Sequence, residues 1–368
     1  MNYGLPYKGS KNKLAERIVD LLPKRTHLID LFCGGCAVSH AALLKRKFQH
    51  IHINDLNWMC PTLFIDALNG KYENDTRWIS REDFFRLRDT DPFVAMVWSF
   101  GNNMRNYLYS VEIEPLKRAI HYAVFFDDYE PGLALGYDFS FTKSFVTHQQ
   151  KYAAIRRFFV ASKESDSTLF PEGSQTLIGG GGVQTLSSSI VGKPIPIARS
   201  REQGKWRISS DGIVFANFKK KRPAEMQNME GLYRCRSIAA SRVYISNSTH
   251  TGGYSLSNSV MDYAKVEIPK DSVIYCDIPY KGTGEYVGAN NFDYERFYDW
   301  ASNQTEPVFI SSYEMPSDRF DCVAEWNHRS IFSKYSNIAV KERLFIPRHQ
   351  TERGNIEQQL PLFEGMNW

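Results

Sequence analysis

The chain has 368 residues, of which 42% are hydrophobic and 23% are charged, with a net charge of +4. This composition is that of an ordinary globular protein with room for a main domain and a sizeable second one, and its mild basicity is compatible with a nucleic-acid partner. No stretch approaches the roughly 18 apolar residues of a membrane span and no signal peptide opens the chain, so we expect a cytoplasmic protein.

The N-terminal segment, residues 3–14, is a basic, glycine-bearing loop that contains Tyr7 and Lys11. A helix is predicted from about Leu14 to Leu22, because apolar residues recur at helical spacing until Pro23. Taken alone, the loop is equally typical of a solvated N-terminus in which its two notable side chains have no role.

A strand, a small-residue turn and a helix are predicted at Leu28–Phe32, Cys33–Ala37 and Val38–Lys45. This unit lets a ligand approach backbone N–H groups at a helix start. A second strand, residues 50–53, is followed by Asp55 about twenty residues after the turn, the spacing at which a nucleotide-binding βαβ unit places its ribose-binding acid. The combination favours a nucleotide-like ligand over a plain βαβ unit.

The six cysteines are scattered along the chain, as expected for reduced, intracellular thiols. Cys33 and Cys36 form a single C-x-x-C pair with no second pair at zinc-finger spacing. We therefore expect no metal site.

Residues 58–160 are predicted to be mostly helical, with one polar, turn-forming stretch at Ser99–Tyr107. That stretch is most simply an inter-helix loop, although we count Arg105 within it among the candidate DNA contacts. The helices are expected at Trp58–Leu68, Arg81–Arg88, Pro92–Trp98, Leu116–Phe125 and Gln149–Ala161.

The composition changes between residues 162 and 227. Serine and glycine cluster there, including Gly179–Gly182, which is typical of a flexible loop. Residues 205–209 and 212–217 are predicted to pair as a hairpin. A basic run beside Phe218 is typical both of a phosphate-binding surface with a stacking residue and of a solvated loop. The run consists of Lys219, Lys220, Lys221 and Arg222.

The last third of the chain is predicted to supply further strands, including an antiparallel pair within residues 318–346 that closes a sheet. Residues 281–286 are expected to form a mobile loop, and residues 348–368 a polar tail that is disordered apart from Gln359–Phe363. The remaining predicted elements are helices at Asn228–Ser241 and Tyr294–Ser302 and strands at Arg242–Ser246, Val273–Cys276 and Val308–Ser311.

The tetrapeptide Asp277-Ile278-Pro279-Tyr280 is the strongest candidate for chemistry. The preceding strand ends there because Pro279 supplies no ladder N–H and restricts Ile278, so an acid, a carbonyl and an aromatic face meet at a carboxyl end of the sheet. Asp277 and the Ile278 carbonyl suit the two N–H groups of an exocyclic amine, and Tyr280 suits stacking on an extruded base. An ordinary Asp-x-Pro turn is the other interpretation.

These motifs resemble, in the same order, those of the D12 or alpha class of N6-adenine DNA methyltransferases. Residues 7–11 are similar to the N-terminal motif. Residues 30–36 resemble the acid-x-Phe-x-Gly-x-Gly cofactor loop, with Cys36 at the last glycine. Residues 277–280 resemble the (Asp/Asn/Ser)-Pro-Pro-(Tyr/Phe/Trp) motif, with Ile278 at the first proline. Residues 329–333 and 341–344 are similar to the closing segment, and the resemblance covers about residues 3–60 and 240–347.

The resemblance implies a Rossmann-like α/β methyltransferase core with a mixed sheet, built from residues 1–69 and 236–347. Residues 70–235 would be an inserted target-recognition domain, and residues 348–368 a tail. The implied reaction is methyl transfer from S-adenosylmethionine to adenine N6 in double-stranded DNA, with no metal. The residues implied to bind the cofactor are Tyr7, Lys11, Asp30, Phe32, Gly34, Asp55 and Asp277.

Two other classes of function stay open. The same contacts with an exocyclic amine and its base would suit methylation of RNA adenine or of cytosine N4 in DNA, although Asp277 favours adenine by resemblance. A nucleic-acid-binding relative without catalysis is permitted by the departures at Cys36 and Ile278.

The tail contains Gln359-Leu360-Pro361-Leu362-Phe363, which resembles the peptide by which many bacterial replication and repair proteins dock on the sliding clamp. Such a peptide would place two apolar anchors in a groove of the clamp and raise the local concentration of the enzyme on DNA. The alternative is that Leu362 and Phe363 pack on the core of this protein.

Overall fold

The computed structural model describes residues 3–7, 9–165, 174–179, 182–187, 207–209, 212–214, 225–241, 253–280, 292–329 and 339–352. Its strands are β1 (His27–Asp30), β2 (His50–Asn54), β3 (Ser174–Gly179), β4 (Gly182–Ser187), β5 (Arg207–Ser209), β6 (Gly212–Val214), β7 (Ser255–Ser259), β8 (Ser272–Asp277), β9 (Val308–Ser312), β10 (Phe320–Arg329) and β11 (Ala339–Pro347).

The helices within these ranges surround the sheet and extend the chain beyond it. They are α1 (Ala15–Leu21), α2 (Ala37–Lys45), α3 (Met59–Leu68), α4 (Arg81–Leu87), α5 (Pro92–Val97), α6 (Glu114–Phe125), α7 (Glu130–Leu133), α8 (His148–Ser165), α9 (Glu225–Ala240), α10 (Tyr294–Ser302) and α11 (Arg348–Glu352). None of them is long and apolar enough to cross a membrane.

A seven-stranded mixed sheet in the order β10-β11-β9-β8-β1-β2-β7 is the centre of the fold. Strands β7, β2, β1, β8 and β9 run parallel, and β11 pairs antiparallel with both β9 and β10. From β1 the chain builds outward to β2 and β7 on one side, whereas β8 and β9 lie on the other. The strand order therefore reverses between β1 and β8, which is where open α/β sheets bind ligands. The predicted α/β class and mixed sheet are confirmed.

Strand β8 is buried on both faces, because its side chains alternate between two hydrophobic clusters. Val273 and Tyr275 belong to the first cluster, beneath α1, α2 and α3. Ile274 and Cys276 belong to the second cluster, beneath α10. A strand buried on both sides has little freedom, so the residue at its end has a fixed position.

The first cluster continues past the sheet into the helices that follow residue 70. Phe84 of α4, Phe93 of α5 and Trp98 all pack within it. Helices α6 and α8 pack around a separate third cluster that includes Ile120 and Phe139. The division into a core at residues 1–69 and 236–347 and an insertion at 70–235 stays a prediction.

Most predicted elements match the observed ones to within a few residues, including the β5–β6 hairpin. The prediction of a flexible loop at Gly179–Gly182 is wrong for its two end residues, because Gly179 and Gly182 pair with each other in the antiparallel β3–β4 ladder. Residues 180–181 lie outside the described residues. Alternating residues such as Leu177 and Val183 favour strands on either side of the glycine cluster. The predicted strand at Arg242–Ser246 and the loop at 281–286 lie outside the described residues.

The prediction of a disordered tail is wrong for its first residues, which form α11. Gln350 is buried there: its Oε1 accepts a hydrogen bond from the Val308 N–H at 3.0 Å, and its Nε2 donates to the Glu306 carbonyl at 2.9 Å. These bonds fasten α11 to the start of β9. The segment Gln359–Phe363 lies outside the described residues, so clamp docking stays a prediction.

Two glycines with the same backbone conformation give a matched test of packing. Gly4 has φ +64° and a Cβ there would lie 2.2 Å from the Gly35 carbonyl oxygen, whereas Gly101 has φ +62° with nothing within 4 Å. Both G4A and G101A incur the left-handed backbone cost of roughly 1–2 kcal/mol. Only G4A adds a clash with backbone, which costs roughly another 1–3 kcal/mol. Thermal unfolding should show the larger loss for G4A, and equal melting temperatures would contradict this packing.

Candidate active site at the carboxyl edge of the sheet

The N-terminal segment lies against the glycine turn that follows β1. The Leu5 N–H donates to the Gly35 carbonyl at 2.7 Å, and the Gly4 N–H donates to Nδ1 of the buried His40 at 3.0 Å. Tyr3 and Leu5 are buried. The alternative interpretation of this segment as a solvated N-terminus is therefore wrong. The segment carries Tyr7 and Lys11 to the sheet edge.

The turn has left-handed backbone at two of its residues. Gly34 has φ +45°, and a Cβ there would meet the Tyr7 ring at 3.0 Å. Cys36 has a left-handed conformation, φ 55°, although it is not glycine, and its side chain is fully buried in the first cluster. The assignment of this turn as a cofactor loop stays a prediction.

Asp55 lies beside this turn, as its spacing predicted. Its Oδ2 accepts a hydrogen bond from the Gly34 N–H at 2.9 Å, and its Oδ1 accepts one from the Asn57 N–H at 2.9 Å. Burial raises the pKa of the Asp55 carboxyl, and these two bonds oppose the rise. Each oxygen has a second lone pair, so the carboxylate has the capacity to accept two ribose hydroxyls.

Asp30 ends β1 on the same edge and is 1% exposed. Its Oδ2 accepts a hydrogen bond from the Ser39 hydroxyl at 2.6 Å, whereas its buried Oδ1 has no hydrogen-bond partner among the residues that the structure describes. Burial raises the pKa of Asp30 to about 7, with the negative charges of Asp277 and Asp55 adding to the rise. A buried acceptor without a donor is expected where a ligand supplies the donor.

Phe32 is half-buried beside the turn, with its ring 5.4 Å from the ring of Tyr263 and 5.8 Å from that of Phe297. It packs against the second cluster. Its contacts explain its position in the fold, and its implied role toward the cofactor stays a prediction.

Asp277 ends β8 and forms an ion pair with Lys11, whose Nζ lies 2.8 Å from Oδ1. The hydroxyl of Tyr280 lies 3.2 Å from the same oxygen. Ile278 is 2% exposed in the second cluster, and the Pro279 carbonyl accepts a hydrogen bond from the Tyr294 hydroxyl at 3.0 Å. Burial of Ile278 thus anchors the segment where the motif usually has a proline.

Burial raises the pKa of Asp277 to about 6, and the neighbouring Lys11 ammonium opposes this rise. The side chain keeps 22% of its surface exposed. With this pKa the carboxyl group is ionised at neutral pH and takes up a proton at slightly lower pH. It is therefore suited both to accept an N–H and to take up a proton.

The ring of Tyr280 already has neighbours. The Lys11 Nζ lies 4.7 Å from its centroid, and the ring of Tyr313 lies 4.4 Å away at an angle of 60°. Stacking of a base on Tyr280, the role that the resemblance implies, stays a prediction.

Sequence reasoning missed Glu342 of β11, which lies within this group. Its Oε1 is 3.4 Å from the Lys11 Nζ and accepts a hydrogen bond from the Tyr280 hydroxyl. A signal was present in the sequence: Glu342 occupies the same strand phase as Leu344 and Ile346, which are both fully buried. An acid on the apolar phase of a strand indicates a specific partner.

The candidate DNA contacts are Arg105 and the basic run at residues 219–222. Arg105 is exposed in the loop after α5, with its N–H bonded to Asn103 and its carbonyl accepting from Arg88. The basic run Lys219–Arg222 lies outside the described residues. Among the residues that the structure does describe, no group of three or more His, Cys, Asp or Glu side chains is placed to hold a metal ion.

The fold and site together define a mixed α/β protein with a sheet consistent with a methyltransferase core. Residues 7–122 match the family model of the D12 class N6 adenine-specific DNA methyltransferases. The resemblance is therefore confirmed over that range, which contains Tyr7, Lys11, Asp30 and Asp55 but ends before Asp277. No curated protein matches the sequence.

Asp30 gives a pH test of the buried edge. Burial raises its pKa from 3.8 to about 7, so the folded protein retains a proton that the unfolded chain releases in that window. The stability from this proton is fully present below the unfolded pKa and is lost as pH rises through the folded pKa. Asp30→Asn keeps an acceptor for Ser39 but cannot ionise.

We expect the D30N variant to gain stability relative to wild type as pH rises from about 4 to about 7, by on the order of a few kcal/mol. Urea unfolding across this range measures the difference. Ser39→Ala removes the hydrogen bond that lowers the Asp30 pKa. In that variant the loss of folding stability should therefore occur at higher pH than in wild type. A difference between D30N and wild type that is constant with pH would refute the assignment.

Proposed function

We propose that this protein transfers a methyl group from S-adenosylmethionine to adenine N6 at a specific DNA sequence. Adenine-specific DNA methylation is the activity of the family whose model matches residues 7–122. The observation that carries the proposal is the convergence of Lys11, from that range, on Asp277, from the strand end that carries the amine-binding motif.

The cofactor would lie between the ends of β1, β2 and β8, and the residues there fit it. Asp55 offers a carboxylate for the ribose hydroxyls, and the Asp30 Oδ1 is a buried acceptor without a donor. The Gly34 turn gives close approach to the backbone, with Tyr7 packed over it. When bound, S-adenosylmethionine supplies an electrophilic methyl group on a cationic sulfur.

Asp277 and the carbonyl of Ile278 would bind the exocyclic amine of the adenine. Each would accept one N–H of the exocyclic amine, so that the nitrogen lone pair points toward the methyl group. As the N–C bond forms and the S–C bond breaks, the nitrogen must lose a proton. Asp277, with a pKa of about 6, can accept that proton and release it to solvent.

Positioning supplies the larger part of the expected rate enhancement. The reacting nitrogen and carbon must approach in line, and holding them so converts an encounter into a unimolecular step. The Lys11 ammonium fixes Asp277 through Oδ1 at 2.8 Å, and we assign Oδ2 to the amine. Site specificity would come from DNA contacts outside this edge, for which Arg105 and residues 219–222 are candidates.

Methylation of plasmid DNA tests the reaction, and methylation-sensitive sequencing shows whether one sequence is modified. N6-methyladenine at a recurring site supports the proposal. Transfer to RNA or to cytosine N4 would favour the alternative substrates. Cofactor binding with no transfer to any of these would identify an inactive relative.

Asp277→Ala removes the carboxylate that orients the amine. We expect methyl transfer to be abolished while S-adenosylmethionine affinity stays within about an order of magnitude, because the change spares the ribose and turn contacts. Filter-binding with a labelled methyl group and calorimetry measure the two effects. The control is D299N, which removes the charge of an exposed carboxylate on α10 that forms an ion pair with Arg319. Near wild-type transfer by D277A would remove Asp277 from catalysis.

Asp55→Ala removes the proposed acceptor of the ribose hydroxyls. We expect cofactor affinity to fall by roughly 1–3 kcal/mol, as for other lost hydrogen bonds to a charged group. Calorimetry measures the loss, with melting temperature recorded because the Gly34 and Asn57 N–H groups also lose their acceptor. The exposed Asp89 gives the matched control D89A. Unchanged affinity in D55A would place the ribose elsewhere.

A further inference from the structure

Glu342 is buried at a place where a charged side chain is costly. It is 4% exposed on β11, next to the fully buried Leu344 on the same strand phase. The flanking Lys341 is exposed, as expected for the opposite phase. Replacing a buried ion pair by apolar side chains is often neutral or stabilising, so stability alone does not explain an acid here.

Its two contacts are both with groups that touch Asp277. The Lys11 Nζ lies 2.8 Å from Asp277 and 3.4 Å from Glu342. The Tyr280 hydroxyl contacts the same two carboxylates. Lys11 and Tyr280 therefore each contact both Asp277 and Glu342.

We propose that Glu342 is a positioning residue for methyl transfer, which holds Lys11 and Tyr280 in place and through them orients Asp277. Glu342 and Asp277 both contact the ammonium of Lys11, and Glu342 also accepts a hydrogen bond from the Tyr280 hydroxyl. The claim of an effect on catalysis rests on the proposed function, whereas the orientation of Asp277 does not.

The arrangement couples the charge of Glu342 to the titration of Asp277. The groups facing Asp277 are Lys11 from the N-terminal segment, Asp30 at the end of β1, Tyr280 from its own segment, Tyr313 after β9 and Glu342 on β11. Burial and the negative charge of Glu342 raise the pKa of Asp277, whereas Lys11 lowers it. Removing the negative charge of Glu342 should therefore lower the Asp277 pKa.

Glu342→Gln isolates this charge, because an amide oxygen still accepts the Tyr280 hydrogen bond. Glu342→Ala removes both the charge and the acceptor. The matched control is E325Q on the neighbouring strand β10, where Glu325 pairs with Lys341 at 2.6 Å and Arg343 at 2.8 Å but is exposed.

We expect E342Q to lower kcat between about 10-fold and 100-fold, the usual cost of a small misplacement of reacting groups, with the KM for S-adenosylmethionine within about threefold. Its acidic limb in the pH profile should move to lower pH, and E342A should lose more kcat. E325Q should match wild type in kcat and in pH profile.

The coupling between Glu342 and Asp277 is measured separately from activity by NMR titration of the Asp277 carboxyl carbon with isotope-labelled aspartate, assigned through D277N. A lower Asp277 pKa in E342Q and not in E325Q supports the proposal, even if wild type transfers no methyl group, in which case only the proposed function fails. An unchanged Asp277 titration in E342Q overturns the proposal. So does a loss of activity in E342Q that is matched by a fall in melting temperature and in cofactor affinity, since that marks a structural role only.

Discussion

The ion pair between Lys11 and Asp277 joins the N-terminal segment to the end of β8, at the point where the sheet reverses its strand order. Lys11 reaches the edge because the N-terminal segment packs on the glycine turn, where Gly4 and Gly35 approach too closely for any side chain. Asp277 reaches it because β8 is buried on both faces up to its last residue. The candidate site exists only when both halves of the fold are formed.

Three carboxylates, Asp30, Asp55 and Asp277, lie along this edge, and burial raises the pKa of each. Bringing them together without a full set of cations costs free energy, and Lys11 offsets it for one of them. A cationic ligand at this edge would stabilise the ionised carboxylates. The proposed cofactor, S-adenosylmethionine, would supply such positive charge with its sulfur and its amino group.

The sequence was sufficient for the elements that local patterns define. Apolar runs located β1, β2, β8 and β9, and the spacing from Gly34 to Asp55 correctly placed an acid beside the turn. It was insufficient wherever the outcome depended on pairing between distant segments. The role of Glu342 depends on the register of β11 against β9, and burial of Gln350 depends on α11 folding back to Val308. The strand pairing of Gly179 with Gly182 was missed because composition alone does not show whether a glycine lies in a strand or in a linker.

A crystal structure with S-adenosylhomocysteine would show where the ligand lies without assuming any activity. We expect the ligand between the ends of β1 and β8, with its ribose hydroxyls on Asp55 and its sulfur facing Asp277. A ligand bound away from this edge, or bound here without contact to Asp55, would contradict this expectation.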